Sequence, residues 1–217
     1  MRTRIKICCI SSFDEARLAI RLGADALGLV GAMPSGPGVV ADELAADVVR
    51  ATPPPIATFM LTSETTVAGI LAHHRRVGAN TIQLVDAVPA GTYRQLRDAL
   101  PAVKLVQVIH VMDAANVAEA QRAAEAGADA LLLDSGNPNL AVKELGGTGR
   151  RHNWLVSRQI VEASPVPVFL AGGLNAGNAR EAVETVRPFG LDICSGVRTN
   201  GLLDEEKLAR FMAVIHS

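Results

Sequence analysis

Glu15-Ala16-Arg17, followed by Gly23-Ala24-Asp25-Ala26-Leu27, returns later in the chain as Glu119-Ala120-Gln121 followed by Gly127-Ala128-Asp129-Ala130-Leu131. From 15 to 119 the offset is 104 residues, close to half of a 217-residue chain. Weaker echoes stand at Gly78-Ala79-Asn80-Thr81-Ile82 and Gly190-Leu191-Asp192-Ile193-Cys194. In each block a glycine is placed to end a helix, and the apolar run behind it reads as a strand. Recurrence after four units of eight is what a two-fold pseudosymmetric closed barrel gives, and eight units of about 27 residues match the usual length of that fold. The expected fold class is α/β, a single-domain (β/α)8 TIM barrel over residues 1–217, in preference to a doubly wound open sheet.

The units on either side fit that alternation. Strands are expected at Lys6 to Ile10, Ala24 to Val30, Ile56 to Leu61, Thr81 to Val85, Val103 to His110, Asp129 to Asp134, Val166 to Ala171 and Leu191 to Ser195. Helices are expected between them, the first opened by Ser12 with Glu15 three residues on, the spacing of a capping box. The second spans Ala41 to Ala51 and is stopped by Pro53-Pro54-Pro55, and the third is expected to start at Thr62-Ser63 and close at Gly78. The last runs from Asp204 to Ile215. His73-His74-Arg75-Arg76 reads as a solvated helix face, and Trp154 as an apolar anchor where the sixth helix begins.

Aromatic residues make up only 3% of the chain although 49% is hydrophobic, so the core must be aliphatic, as suits a parallel sheet under alanine-rich helices. With 21 basic and 22 acidic residues there is no global field to favour nucleic acid or an anionic membrane, which leaves a small molecule as the expected partner. Cys8, Cys9 and Cys194 are odd in number and match no metal-ligand spacing; free thiols in a reducing compartment follow, and no metal or cofactor is expected. No signal peptide and no membrane span is readable, so the expected location is cytoplasmic. The exterior is compatible with a monomer or a homodimer.

In a barrel of this kind chemistry collects where strands end. That rule nominates Cys8 after the first strand, Asp134 after the sixth, Gly172 and Gly173 after the seventh, and Ser195 and Gly196 after the eighth. Glycines after strands seven and eight let backbone N–H groups approach an anion, so a phosphorylated substrate is expected. Cys8 and Asp134 come from opposite sides of the ring and can face each other across a ligand as base and acid. Against this, a free cysteine is often only a small buried hydrophobe, and Cys9, one residue on along a strand, is expected to point the other way. Between Asp134 and Trp154 lies a long loop, with Gly146-Gly147-Thr148-Gly149 and then Arg150-Arg151.

Taken together, Lys6-Ile7-Cys8, Leu133-Asp134-Ser135, Gly146-Gly147-Thr148-Gly149 with Trp154, Leu170-Ala171-Gly172-Gly173-Leu174 and Ser195-Gly196-Val197 resemble, in order and spacing, the phosphoribosylanthranilate isomerase family. The resemblance spans nearly the whole chain. It implies the Amadori rearrangement of tryptophan biosynthesis, in which a phosphoribosylamine opens its ring and becomes an aminodeoxyketose, without metal or cofactor. By position, Asp134 would be the general acid on the ring oxygen and Cys8 the general base on the C2 proton. The phosphate grip would fall on Gly172, Gly173, Ser195 and Gly196, with Gly147, Thr148 and Gly149 from the loop before helix six.

The chain also departs from the family. Cys9 stands where glycine is usual. Pro34-Ser35-Gly36-Pro37-Gly38 lacks the arginine that meets the anthranilate carboxylate in the family. Val85-Asp86 replaces a His-Gly, His110 an arginine, and Arg198 an acidic residue. Arg198, or Arg150 with Arg151, is the expected replacement cation on the substrate. Two alternatives stand beside the pathway enzyme: an isomerase of another phosphoribosylamine or phosphosugar, and a phosphosugar-binding barrel without catalysis.

Overall fold

The computed structural model describes residues 2–146 and 149–216. Eight parallel strands close into one barrel: β1 (Arg4–Ile7), β2 (Ala26–Val30), β3 (Ala57–Thr62), β4 (Thr81–Leu84), β5 (Lys104–His110), β6 (Ala130–Asp134), β7 (Val168–Leu170) and β8 (Gly190–Ile193). Each pairs with its successor, and β8 returns to β1. Helices α1 (Phe13–Arg21), α2 (Asp42–Ala51), α3 (Val67–Val77), α4 (Thr92–Ala99), α5 (Ala115–Ala126), α6 (Trp154–Ala163), α7 (Ala179–Val186) and α8 (Glu205–His216) separate and follow the strands. Past β8, a short hairpin pairs Arg198–Thr199 with Leu202–Leu203, an addition that the periodicity did not announce.

Side-chain alternation sorts the strands into two apolar shells. Ile5, Ile7, Leu27, Leu29, Leu131, Leu133 and their equivalents face the helices. Ala26, Val30, Phe59, Leu61, Val106, Val108, Leu132 and Phe169 fill the barrel. With so few aromatics, two edge-to-face contacts matter inside: Phe59 to Phe169 at 5.9 Å and Phe169 to Phe189 at 5.3 Å between ring centres.

The helix ends obey local chemistry. The Ser12 hydroxyl accepts from the Glu15 N–H at 3.1 Å, and the Glu15 carboxylate reaches back to the Ser11 N–H at 3.0 Å. Gly23, Gly78 and Gly127 take positive φ after α1, α3 and α5. Gly190 departs from its three counterparts: Arg187 (φ 53) is the left-handed residue after α7, while Gly190 opens β8 beside Phe169, where a side chain would collide with the ring. α3 begins later than expected, because Thr62 completes β3 and Thr66 caps the helix by accepting from the Gly69 N–H at 3.1 Å. His73 is not on a solvated face. It is buried against Thr62 and Asp42, at 2.9 and 3.2 Å, in space left by Gly31.

Candidate active site

The ends of β1, β6, β7 and β8 open on one cavity, lined among others by Cys8, Asp134, Gly149, Gly172, Gly173 and Ser195. Six of the ten nominated residues are thus brought together. Gly147 and Thr148 lie outside the described residues. Gly196 stands behind the rim, and a side chain there would run into the Leu174 carbonyl; its lack of one lets the turn Ser195–Val197 approach the loop after β7. Gly172 and Gly173 have φ of 84° and 64°, two consecutive left-handed residues, packed against the backbone of Arg150 and Gly149.

Cys8 is buried and sits beside a charge pair that strand register creates. In the β1–β8 ladder Lys6 pairs with Asp192, and the Lys6 Nζ lies 2.8 Å from the Asp192 carboxylate with both side chains withdrawn from solvent. Burial works against the Lys6 ammonium, but Asp192, and then Cys8, favour it, and the net effect lifts Lys6 above its ordinary value. Burial pushes Asp192 upward too, against the pull of Lys6. We read the pair as ionised, because neutralising the carboxylate would leave a buried ammonium without counter-charge. Gly28 on β2 makes room for this arrangement: the Cys8 sulfur and the Lys6 Nζ stand 2.9 and 3.0 Å from where its side chain would begin. Composition and periodicity left this pair unnoticed, although a lysine and an aspartate in otherwise apolar strands were the available signal.

Asp134 is half-buried at the end of β6, its Oδ1 accepting from the Ser135 N–H at 2.7 Å. Gly146, at φ 122°, folds the following loop over the other carboxylate oxygen, where a side chain would clash. Behind the phosphate-type loop lies His152, whose Nε2 is 2.8 Å from the Ser157 hydroxyl while Nδ1 is buried without a partner. Burial drives His152 down to about 4, with Asp134 pulling the other way.

Two expectations need correcting. Cys9 does not point away from Cys8: it joins the barrel-interior cluster and lines the same cavity. The strand has ended at Ile7, and φ of 63° at Cys9 turns its side chain inward, so pleat alternation no longer applies. Arg198 does not reach the cavity. Its guanidinium binds Glu15 at 2.8 Å and the carbonyls of Cys8, Cys9 and Gly201 at 3.1, 2.6 and 2.9 Å. A buried guanidinium seeks a carboxylate, and Glu15 is at hand. Arg151 is likewise held, stacked on Trp154 at 3.4 Å from the ring centre and paired with Glu181 at 2.8 Å; Arg150 pairs with Glu144.

Opposite the glycine loops the cavity wall is apolar: Val30, Met33, Leu61, Val85 and Leu145. Gln83 of β4 is its polar member, and its Oε1 is buried without a hydrogen-bond partner. Lysine, arginine and histidine are absent from the described residues that line the cavity. His110, paired in register with Asp134, turns its Nε2 to the Val85 carbonyl at 2.9 Å and stands behind the wall.

A closed ring of eight parallel strands wrapped by helices, with a thiol and a carboxylate lining the cavity at one mouth, places the chain in the (β/α)8 barrel class, whose chemistry collects where the strands end. The family model described as N-(5'-phosphoribosyl)anthranilate (PRA) isomerase matches residues 5–214. Named N-(5'-phosphoribosyl)anthranilate isomerases are similar to the chain: one from Desulforudis audaxviator is 37% identical, with 97% of this chain and 96% of that one covered. Isomerase 2 of Methanosarcina mazei is 35% identical, with 96% and 92% covered. Among solved structures, the phosphoribosyl anthranilate isomerase of Thermococcus kodakaraensis superposes with a TM-score of 0.79 at 30% identity, covering 98% of each chain. The chain belongs to the N-(5'-phosphoribosyl)anthranilate isomerase family and is an isomerase.

Proposed function

We propose that the protein converts N-(5-phosphoribosyl)anthranilate to 1-(2-carboxyphenylamino)-1-deoxyribulose 5-phosphate in tryptophan biosynthesis, with Asp134 as general acid and Cys8 as general base. The observation that carries this reading is that Cys8 and Asp134 reach one cavity from β1 and β6, between the glycine loops and an apolar wall. In this mechanism Asp134 protonates the ribose ring oxygen, the C1–O bond opens, and the nitrogen lone pair forms the Schiff base. The Cys8 thiolate then takes the C2 proton and the resulting enol becomes the ketose. Lys6, paired with Asp192, places its ammonium on the same side of Gly28 as the Cys8 sulfur. The phosphate would rest on Gly172, Gly173 and Ser195, with Gly149 and the adjoining Gly147 and Thr148 closing from the loop before α6, where backbone N–H groups can meet an anion. Arg198 has no place in this grip, because Glu15 and the Cys8 and Cys9 carbonyls hold its guanidinium. Free thiols suit a cytoplasmic setting, and among the described residues no helix is long and apolar enough to cross a membrane.

Measuring turnover of phosphoribosylanthranilate tests the assignment. Cys8→Ser and Asp134→Asn should each lower kcat by about 10²- to 10⁴-fold, the usual scale of a lost acid or base, while binding of a phosphorylated product analogue survives. Wild-type activity that withstands both substitutions would refute the assigned roles.

A second reading has its own support. With no cation among the described lining residues, the amine half of the substrate need not carry a carboxylate. Comparing phosphoribosylanthranilate with phosphoribosylaniline separates the two: kcat/KM values within about threefold favour a carboxylate-indifferent site, and a ratio above about 100-fold, roughly 2.7 kcal/mol, rules that out.

A further inference from the structure

The β1–β8 seam carries two thiols that the proposed reaction does not use. Register pairs Ile7 with Ile193, and the Cys8 N–H donates to the Ile193 carbonyl at 2.8 Å, so the residues just past each strand are held side by side. The left-handed turn at Cys9 swings its side chain toward β8, into space that exists because Gly38 has no Cβ. The Cys9 and Cys194 sulfurs then stand 2.8 Å apart. That is close to bonding range, since a disulfide spans about 2.05 Å and needs only a small approach. Arg198 fixes the Cys8 and Cys9 carbonyls from the turn that follows Cys194, so both partners are anchored. Each thiol lines the mouth, and Cys194 is the more exposed.

We propose that Cys9 and Cys194 form a dithiol modification site, closed reversibly to a disulfide by exchange with a small-molecule disulfide such as oxidised glutathione. Cys194 is suited to begin the exchange: it is the more exposed thiol, its contact with the Cys9 sulfur lowers its pKa, burial opposes this, and Arg198 adds to the lowering. Cys9 is suited to finish it, because the neighbouring Cys194 and Cys8 sulfurs and its burial raise its pKa and keep it protonated until Cys194 has reacted. The Cys194 thiolate attacks one sulfur of the reagent, the reagent's S–S bond breaks, and one thiolate leaves. Cys9 then gives up its proton and attacks the Cys194 sulfur of the mixed disulfide, expelling the second thiolate. Two protein thiols are oxidised, and one small disulfide is reduced to two thiols that take up the two protons. Cys8 remains reduced. The bridge forms in the wall of the cavity that Cys8 and Ser195 also line.

Thiol counting tests this without reference to any substrate. The reduced full-length protein should give three alkylatable thiols; after exposure to oxidised glutathione it should give one, mapped to Cys8, with a Cys9–Cys194 cross-linked peptide. Dithiothreitol should restore all three, and neither Cys9→Gly nor Cys194→Ser should form an internal bridge. The wild-type map decides by itself if either variant fails to fold. A Cys8–Cys9 bridge, a stable glutathione adduct on Cys194, or three unchanged thiols would each overturn the proposal.

Discussion

Gln83 shows how one residue can trade stability for a site. Its Oε1 is buried without a partner, and such a group costs about 1–3 kcal/mol. In the mouth of an isomerase an unsatisfied acceptor on the apolar wall is positioned to take an N–H or O–H from a ligand. Gln83→Met should therefore raise the free energy of unfolding in urea by about 1 kcal/mol while raising KM. A variant that is less stable with KM unchanged would make Gln83 a packing residue. Cys9 carries a different lesson at this scale: a non-glycine residue at φ 63° is strained, and Cys9→Gly should relieve up to about 1 kcal/mol of backbone cost if its packing is not missed.

At the scale of elements, β1 and β8 are joined by more than their ladder. Lys6 and Asp192 form a buried ion pair inside it, and removing one partner of such a pair costs about 3–5 kcal/mol. Lys6→Met is expected to lose that much in chemical denaturation. The double variant Lys6→Met, Asp192→Leu should recover most of it, since no isolated charge remains. A double variant no more stable than the single would show that the ammonium does more than balance its partner. A second clamp ties α1 to the turn and hairpin after β8 through Glu15, Arg198 and the Leu203 N–H. Burial resists ionisation of Glu15, but hydrogen bonds from Arg198, Leu203 and Ser11 outweigh it and hold its carboxyl below the usual range. A depressed acid stabilises the fold above its ordinary value of about 4.3 and loses that contribution as pH falls through the folded value. Glu15→Gln should thus flatten the acid limb of stability below about pH 4.5 and leave the region above pH 7 parallel to wild type.

For the molecule as a whole, buried His73 and half-buried His152 set another part of the pH profile. His152 is driven down to about 4 and His73 is also lowered, burial in each case outweighing a nearby carboxylate. The unfolded chain takes up these protons near pH 6.5, before the native state does. Stability should fall as pH drops from about 6.5 toward 4, with up to about 1.4 kcal/mol per pH unit from each histidine. His152→Gln should remove one such increment in urea titrations between pH 4 and 7; an unchanged slope would mean that His152 is solvated in the native state.

Much of the molecule is legible in the one-dimensional pattern. Strand and helix order, the Ser12 cap, the closing glycines at 23, 78 and 127, and the gathering of Cys8, Asp134, Gly172, Gly173 and Ser195 at one mouth follow from local rules: side-chain period, backbone freedom and the position of strand ends in a barrel. The elements and caps depend on neighbours a few residues away, and the shared mouth follows from placing strand ends on a barrel that their alternation already implies. Cys9, His73, Arg198 and the Lys6–Asp192 pair were not legible in this way. Where each points depends on partners up to 190 residues distant, on the register of β1 against β8, and on empty space left by Gly31 and Gly38. Only closure of the ring brings the two ends of the chain together, and with them the charges and thiols that meet at its seam.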